Sequence, residues 1–359
     1  MNRCQVSNEA RTSASMFAMP APTPPLRPLS GAEPVTSNTA QQDAAITDRD
    51  RLAHSAYADS QHLAARQSLY RWQQPQYDLP GMITAELERV RGTVLDIGCG
   101  NGRFVTRLHQ QRPDLRVIGT DISAGILADV PRPVAVADAQ VLPFSDDSAD
   151  AALALHMLYH VPDIPVSVAE LARVVKSDGL VIASTNGRHD KRELDLLWSR
   201  AAADVLGVAE GPSRVSLSAR FSLELAPALL GAAFSDVHVI ELPGAIETPD
   251  PGPVVAHLAS YEAWADQLGV PFRPTLVRAE ELVTQEIAKH GTFRITCPAA
   301  SSSAAGRTPP AAGDPGQRGW LCLTYPDNPP PTPAIAARHL APIPLSNKLL
   351  YGFMAPGGR

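Results

Sequence analysis

Residues 94–104 read Val94-Leu95-Asp96-Ile97-Gly98-Cys99-Gly100-Asn101-Gly102-Arg103-Phe104. An apolar run of strand length ends beside an acid, turns through three glycines at alternate positions, and enters a stretch carrying Phe104, Val105 and Leu108. Glycines accept positive φ and let a ligand lie against bare backbone. The helix start beyond them offers unpaired N–H groups. A strand, a glycine turn and a helix in this order open an α/β nucleotide-binding sheet.

Outward from this unit, short apolar runs recur at Val94–Ile97, Val117–Thr120, Val134–Ala137, Ala151–Leu155 and Leu180–Ser184, each separated by helical or turn-rich sequence. Strands buried on both faces read as continuous apolar runs, and parallel pairing needs crossovers of this kind. Five such units predict an α/β, Rossmann-like doubly wound sheet, mostly parallel and seven-stranded. The last two strands are expected at Val237–Leu242 and Leu321–Tyr325, with Thr292–Ile295 competing for the final place. Helical faces at Leu194/Leu197/Ala201/Val205, at Leu258/Tyr261/Ala265/Leu268, and at Leu282/Ile287 before Gly291 predict a helical cover over the carboxyl edge, spanning 186–290.

The flanks differ in kind. Residues 1–45 are rich in Pro, Ser and Ala, lack periodicity, and read as a disordered leader, with a transit peptide as the competing reading. Residues 46–326 form the expected domain, interrupted by a flexible insertion at 298–318, and 327–359 form a disordered Pro-rich tail. With 44% hydrophobic residues the middle of the chain can build a core, and the longest apolar runs are too short to span a membrane. A net charge of −6 and a pI of about 5.9 argue against nucleic acid as a partner. Cys4, Cys99, Cys297 and Cys322 are widely spaced, predicting neither a disulfide framework nor a metal site, and pointing to the cytoplasm. The oligomeric state is not readable.

Spacing discriminates between nucleotides. A dinucleotide motif requires G-x-G-x-x-G, and its third glycine would fall at Arg103, whereas here it comes at Gly102. No Lys-Ser/Thr follows, so a Walker loop is excluded as well. Asp96 would repel a pyrophosphate but attract an ammonium, and S-adenosyl-L-methionine carries an ammonium and a sulfonium and no phosphate. Asp121 ends the next run in VIGTDIS, where Rossmann-like folds bind ribose hydroxyls. Asp138 ends the third in VAVADAQVLPF, where a carboxylate can receive an adenine amino group beside the Ala139 N–H.

The chain resembles the class I S-adenosylmethionine-dependent methyltransferases, in particular the small-molecule, quinone-biosynthesis-like branch. The likeness covers roughly residues 60–187 through VLDIGCGNGRF, GTDIS, DAQVLPFSDDSAD, LHMLYHVPD and ARVVKSDGLVIASTN. It implies that Asp96, Gly98, Cys99, Gly100 and Gly102 hold the amino-acid end of the cofactor. Asp121 with Ile122 would hold the ribose, and Asp138 with Ala139 the adenine. Ala149 departs from the pattern, standing where an aromatic usually precedes the acid of the fourth strand, and the insertion before the last strand is atypical.

Methyl transfer is an in-line displacement, so alignment of the reacting atoms supplies much of the rate. A base is needed only for a protonated acceptor. His156 and His160 bracket LHMLYH at the carboxyl edge and are the candidate catalytic residues, His156 also lying against the cofactor. A histidine held by backbone hydrogen bonds is the competing reading of His160, and Tyr159 reads as packing. Asn186, Arg188, His189, Asp190 and Arg192 read as a solvated helix start, with contact to a polar acceptor as the competing reading. In LYRWQQPQYDLP, Tyr70 is the candidate closing over the cofactor, ahead of Arg71 and Gln74. The expected activity is methyl transfer to an O, N or C atom of a small-molecule acceptor. The alternatives are a non-catalytic S-adenosyl-binding module and a methyltransferase acting on a macromolecule.

Overall fold

The computed structural model describes residues 35–297 and 319–324. The expected insertion at 298–318 and tail at 327–359 lie outside the described residues. Ahead of the sheet the chain forms α1 (Val35–Ile46), α2 (Arg49–Arg51), α3 (Gln61–Ser68), β1 (Gln73–Gln74) and α4 (Leu79–Glu86). The leader expected over 1–45 therefore gives way to helix at Val35. Its composition is polar, but Ala45 and Ile46 at the helix end are buried, and the Ala45 carbonyl accepts a hydrogen bond from Trp264 Nε1–H at 3.1 Å. Two anchoring residues and a distant indole do what local composition cannot.

The core follows as β2 (Gly92–Ile97), α5 (Arg103–Gln111), β3 (Leu115–Asp121), β4 (Val134–Val136), β5 (Ala149–Leu155), α6 (Ile164–Val174) and β6 (Val175–Ser184). These strands lie side by side in the order β4-β3-β2-β5-β6, all parallel. β2 and β5 are buried along most of their length, as strands covered on both faces must be. Ala149, Ala151, Ala152 and Ala154 make β5 a strand of small side chains, each at 0% exposure. α6 starts under Asp163, whose carboxylate accepts the Val166 N–H at 3.1 Å. Strand order reverses between β2 and β5, and that reversal opens a crevice at the carboxyl ends.

The remaining elements are α7 (Arg192–Leu206), α8 (Ala226–Leu230), β7 (Asp236–Glu241), β8 (Gly244–Thr248), α9 (Gly252–Ala259), α10 (Phe272–His290), β9 (Phe293–Cys297) and β10 (Gly319–Thr324). The main chain of β10 pairs in parallel with β6 and β7. β9, which competed for the final place beside the large sheet, pairs instead with β8, and β8 with β1, in a small antiparallel sheet. The faces expected on α7 and α10 are the buried ones, and Gly291 ends α10 at φ +82°. The helix expected through Leu258 and Leu268 breaks after α9 into a 3-10 segment, Glu262–Gln267, that buries Trp264.

Candidate functional site

A cavity of about 240 Å³ sits over the ends of β2, β3, β5 and β6. One wall comes from the sheet, a second from α9 and the segment around Arg214, and a third from residues 49–70. On the sheet side the glycine turn is wound left-handed, with Gly98 at φ +66° and Gly102 at +70°. A Cβ at Gly98 would lie 2.8 Å from Met157, and one at Gly102 2.6 Å from Val130. Main-chain bonds fix the turn: the Cys99 N–H donates to the Thr120 carbonyl at 2.8 Å. The Gly100 and Ser123 N–H groups each donate to one oxygen of Asp121 at 3.0 Å.

Asp96 lies beneath this turn at 0% exposure. Neither of its carboxylate oxygens has a hydrogen-bond partner among the described residues. Burial, and then the nearby Asp121, push its pKa up to about 8. Burial also raises the Asp121 carboxyl against the pull of its N–H donors. Such a buried acid is relieved by a cation, which matches the ammonium of S-adenosyl-L-methionine. Asp138 is engaged differently. One oxygen accepts the Gln140 N–H at 2.9 Å, and the other meets the Arg49 guanidinium at 2.5 Å, with Arg49 52% exposed.

The opposite half is aromatic and basic. Tyr57 follows a π-helical turn, Leu52–Ala56, and its hydroxyl meets His160 Nε2 at 2.7 Å. His160 Nδ1 meets the Ile46 carbonyl at 3.0 Å. Its ring packs edge-on to Tyr57 and Tyr159 and parallel to Trp264. Lys191 and Asp190 form a buried ion pair, with Lys191 Nζ 5.0 Å from the Tyr70 ring centroid. Arg214 donates to Asp195 at 2.9 Å and lies 4.7 Å from the Tyr261 centroid. His257 is kept neutral by burial, and then by Arg214, Lys191 and Arg66.

Most of the residues expected for cofactor binding meet in this cavity: Asp96, Gly98, Cys99 and Gly100 from the turn, Asp121 with Ile122, Asp138 with Ala139, and His156 and Tyr70. Gly102 does not line it. It is the left-handed N-cap of α5, packed against Val130, and serves the shape of the turn from behind. His160 lines the cavity, with its ring held in place. Both ring nitrogens are engaged and burial drives its pKa down to about 3, so it buttresses Tyr57 and the first helix and presents no free nitrogen to an acceptor. His156 is different: it sits at φ +56° with its N–H on the Ser184 carbonyl. It lines the cavity, and burial, with Lys191 and Arg103, lowers its pKa to about 4.

Among the expected helix-start residues, Arg188, His189 and Arg192 are exposed. Asp190 is buried against Lys191, which the reading of STNGRHDKREL passed over. Tyr57, Arg66, Arg214 and His257 carry no signal in the sequence either, since nothing in their spacing distinguishes them from core or surface residues, and Tyr261 shows there only as part of a helical face. No group of three metal-ligating side chains occurs among the described residues. No helix there is long and apolar enough to cross a membrane.

A family model described as "Methyltransferase domain" matches residues 95–183. A tRNA (carboxymethyluridine(34)-5-O)-methyltransferase from Arabidopsis thaliana is 32% identical over 148 residues, covering 37% of this chain and 35% of the relative. A demethylmenaquinone methyltransferase from Roseiflexus castenholzii is 39% identical over 97 residues, covering 25% and 41%. The solved structure of the YcgJ protein from Bacillus subtilis covers 60% of this chain and 93% of its own, at 21% identity and a TM-score of 0.37. The chain spans 35–41% of the length of the first curated relatives it matches.

Proposed function

We propose, from the premise that this chain carries a class I S-adenosylmethionine-dependent methyltransferase domain, that it transfers a methyl group to an O, N or C atom of a small molecule. The observation that carries this is Asp96, a carboxylate with 0% exposure and no partner among the described residues, under a turn of left-handed glycines. When bound, the cofactor supplies an activated methyl group on a sulfonium. The residues of this chain supply binding and alignment. Asp96 receives the ammonium, and Asp121 receives the ribose hydroxyls while its other lone pairs hold Gly100 and Ser123. Asp138 and the Ala139 N–H take the adenine once Arg49 swings into solvent.

The walls of the cavity support a small acceptor, because Tyr57, Tyr70 and Tyr261 enclose it on the side away from the sheet. Our candidate for touching reacting atoms is His156, which lines the cavity as a neutral imidazole that would orient the acceptor or take its proton. We read the large sheet as seven-stranded through β10 and β7, and the chain as akin to the quinone-type methyltransferases among its relatives. Unpaired buried Cys99 and Cys297 fit a reducing, cytoplasmic setting.

The test is titration of the full chain with S-adenosylhomocysteine across pH. In the free protein the Asp96 carboxyl is raised above its unfolded value. Its stability contribution is therefore present below about pH 4 and lost as pH rises through about 8. A bound ammonium favours the ionised form, so binding near pH 7 should release a proton and tighten as pH approaches 8. Asp96→Asn should abolish that proton release and raise the melting temperature of the free protein at pH 8 by roughly 3 °C. Binding of NAD with no S-adenosylhomocysteine binding would overturn the assignment. Turnover with a panel of acceptors, read as S-adenosylhomocysteine formation, separates an enzyme from a non-catalytic binding module.

A further inference from the structure

We infer that Arg66 is the docking point for a carboxylate on the acceptor, so that the site takes small organic acids in preference to neutral metabolites. The inference rests on the methyltransferase reading and names the substrate class of that same cavity.

The case begins with charge. On the half of the cavity away from the sheet, Lys191 is matched by Asp190 and Arg214 by Asp195. Arg66, on α3, has no such match among the described residues. It is 9% exposed, it lines the cavity, and Nε, Nη1 and Nη2 are all buried without a hydrogen-bond partner. The guanidinium and the Tyr57 hydroxyl interact directly, a contact that favours the hydroxyl's ionised form, but that phenol is already shared with His160 and brings no negative charge to balance the guanidinium. One positive charge is thus left over, inside the protein, beside the space an acceptor would fill.

Aromatic rings hold this charge without satisfying it. The guanidinium carbon lies 4.9 Å from the Tyr57 centroid, 5.7 Å from that of Tyr261 and 5.9 Å from that of Trp264. Ring faces attract a cation electrostatically, yet they offer no oxygen lone pair to the planar array of N–H donors. Burying a charge with its donors unpaired is unfavourable, so the arrangement is explained by a partner that arrives with the substrate. A carboxylate fits on three counts. It is planar and accepts two parallel N–H bonds from the guanidinium fork. It carries one negative charge, balancing the one that is unmatched. It leaves an organic body free to lie against the tyrosine rings that line the cavity. A phosphate dianion would bring surplus charge toward Asp190 and Asp195, and a neutral acceptor would leave the donors bare.

The experiment uses the full chain with saturating S-adenosylhomocysteine and titrates benzoate, cinnamate and 3-phenylpropionate against their primary amides, by calorimetry and tryptophan fluorescence. At least one acid should bind about tenfold or more tightly than its amide, the scale of a charge-assisted bond. Arg66→Met should bring acid and amide to within about twofold, with S-adenosylhomocysteine affinity unchanged as the check that the cavity is folded. Arg66→Lys keeps the charge without the fork and should retain an intermediate preference, which decides the matter should the methionine variant fail to fold. No preference for any acid in the wild type, or a preference that survives Arg66→Met, overturns the inference. Failure of the wild type to bind S-adenosylhomocysteine would strike the methyltransferase reading instead.

Discussion

Asp96, Asp121 and Asp138 ring one half of the cavity, and Arg66, Lys191 and Arg214 ring the other. The acids sit on or just past adjacent parallel strands. Asp96 is level with Gly119, and Asp121 is level with Val136, two residues before Asp138. Sheet register alone brings them together. The bases come from α3, from the turn before α7 and from the segment after it, and no ladder connects them. The acidic half also carries its own stiffening, since Asp121 ties the glycine turn to β3. The basic half is held by side chains from distant parts of the chain. Position in the first half is a property of the backbone, and in the second it is a property of packing.

The largest effect that could break this contrast lies in the wall of the basic half. His160→Ala should cost about 2–4 kcal/mol of stability, by opening a cavity and leaving the Ile46 carbonyl and Tyr57 hydroxyl unpaired. Thermal melts should show that loss while S-adenosylhomocysteine affinity per folded molecule stays within about twofold. A normal melt with lost turnover would return His160 to catalysis. On the acidic side, Asp121→Ala should weaken the same ligand by roughly tenfold to a few hundredfold, the scale of one or two charge-assisted bonds. Because Asp121 also receives the Gly100 and Ser123 N–H groups, amide exchange in residues 98–102 should quicken as well. Unchanged affinity in calorimetry would move the ribose contact elsewhere.

The smallest effect concerns the place where the halves touch. Arg49 is half exposed and bridges to Asp138, the carboxylate that we propose receives the adenine amino group, so the bridge would compete with the ligand. Exposed pairs contribute about 0–1 kcal/mol. Arg49→Ala should therefore strengthen S-adenosylhomocysteine binding, by no more than about fivefold, and the gain should shrink at high salt. A weakened ligand would mean that Arg49 belongs to the nucleotide site and is no competitor for it.

What was readable in the sequence follows the same division. Val94–Phe104 fixes a strand, a turn and a helix through signals a few residues apart, and the acids at 96, 121 and 138 are visible because each ends an apolar run. Even there the role of Gly102 is not legible, because a glycine needed for a left-handed cap reads the same as one needed for bare backbone. Arg66 sits in a polar helix, QHLAARQS, where nothing local says that its guanidinium turns inward. Its burial is decided by Tyr57, Tyr261 and Trp264, the last two nearly two hundred residues away. The partners of His160 are just as remote, since the carbonyl that meets its Nδ1 belongs to Ile46, 114 residues away.

The π-helical turn Leu52–Ala56 closes on Tyr57 through an N–H bond to the Leu52 carbonyl five residues back, at 3.0 Å. An α-helical turn would close on the residue four back, so this segment carries a surplus residue. That surplus sets the rotational phase between two latches: Arg51, bonded to Asp266 and the Ala263 carbonyl on one side, and Tyr57, bonded to His160 on the other. Chain length at this point is thus as much a determinant of the site as any side chain. Losing one residue would turn one latch by about 100° relative to the other, leaving every functional group present and one of the two facing away.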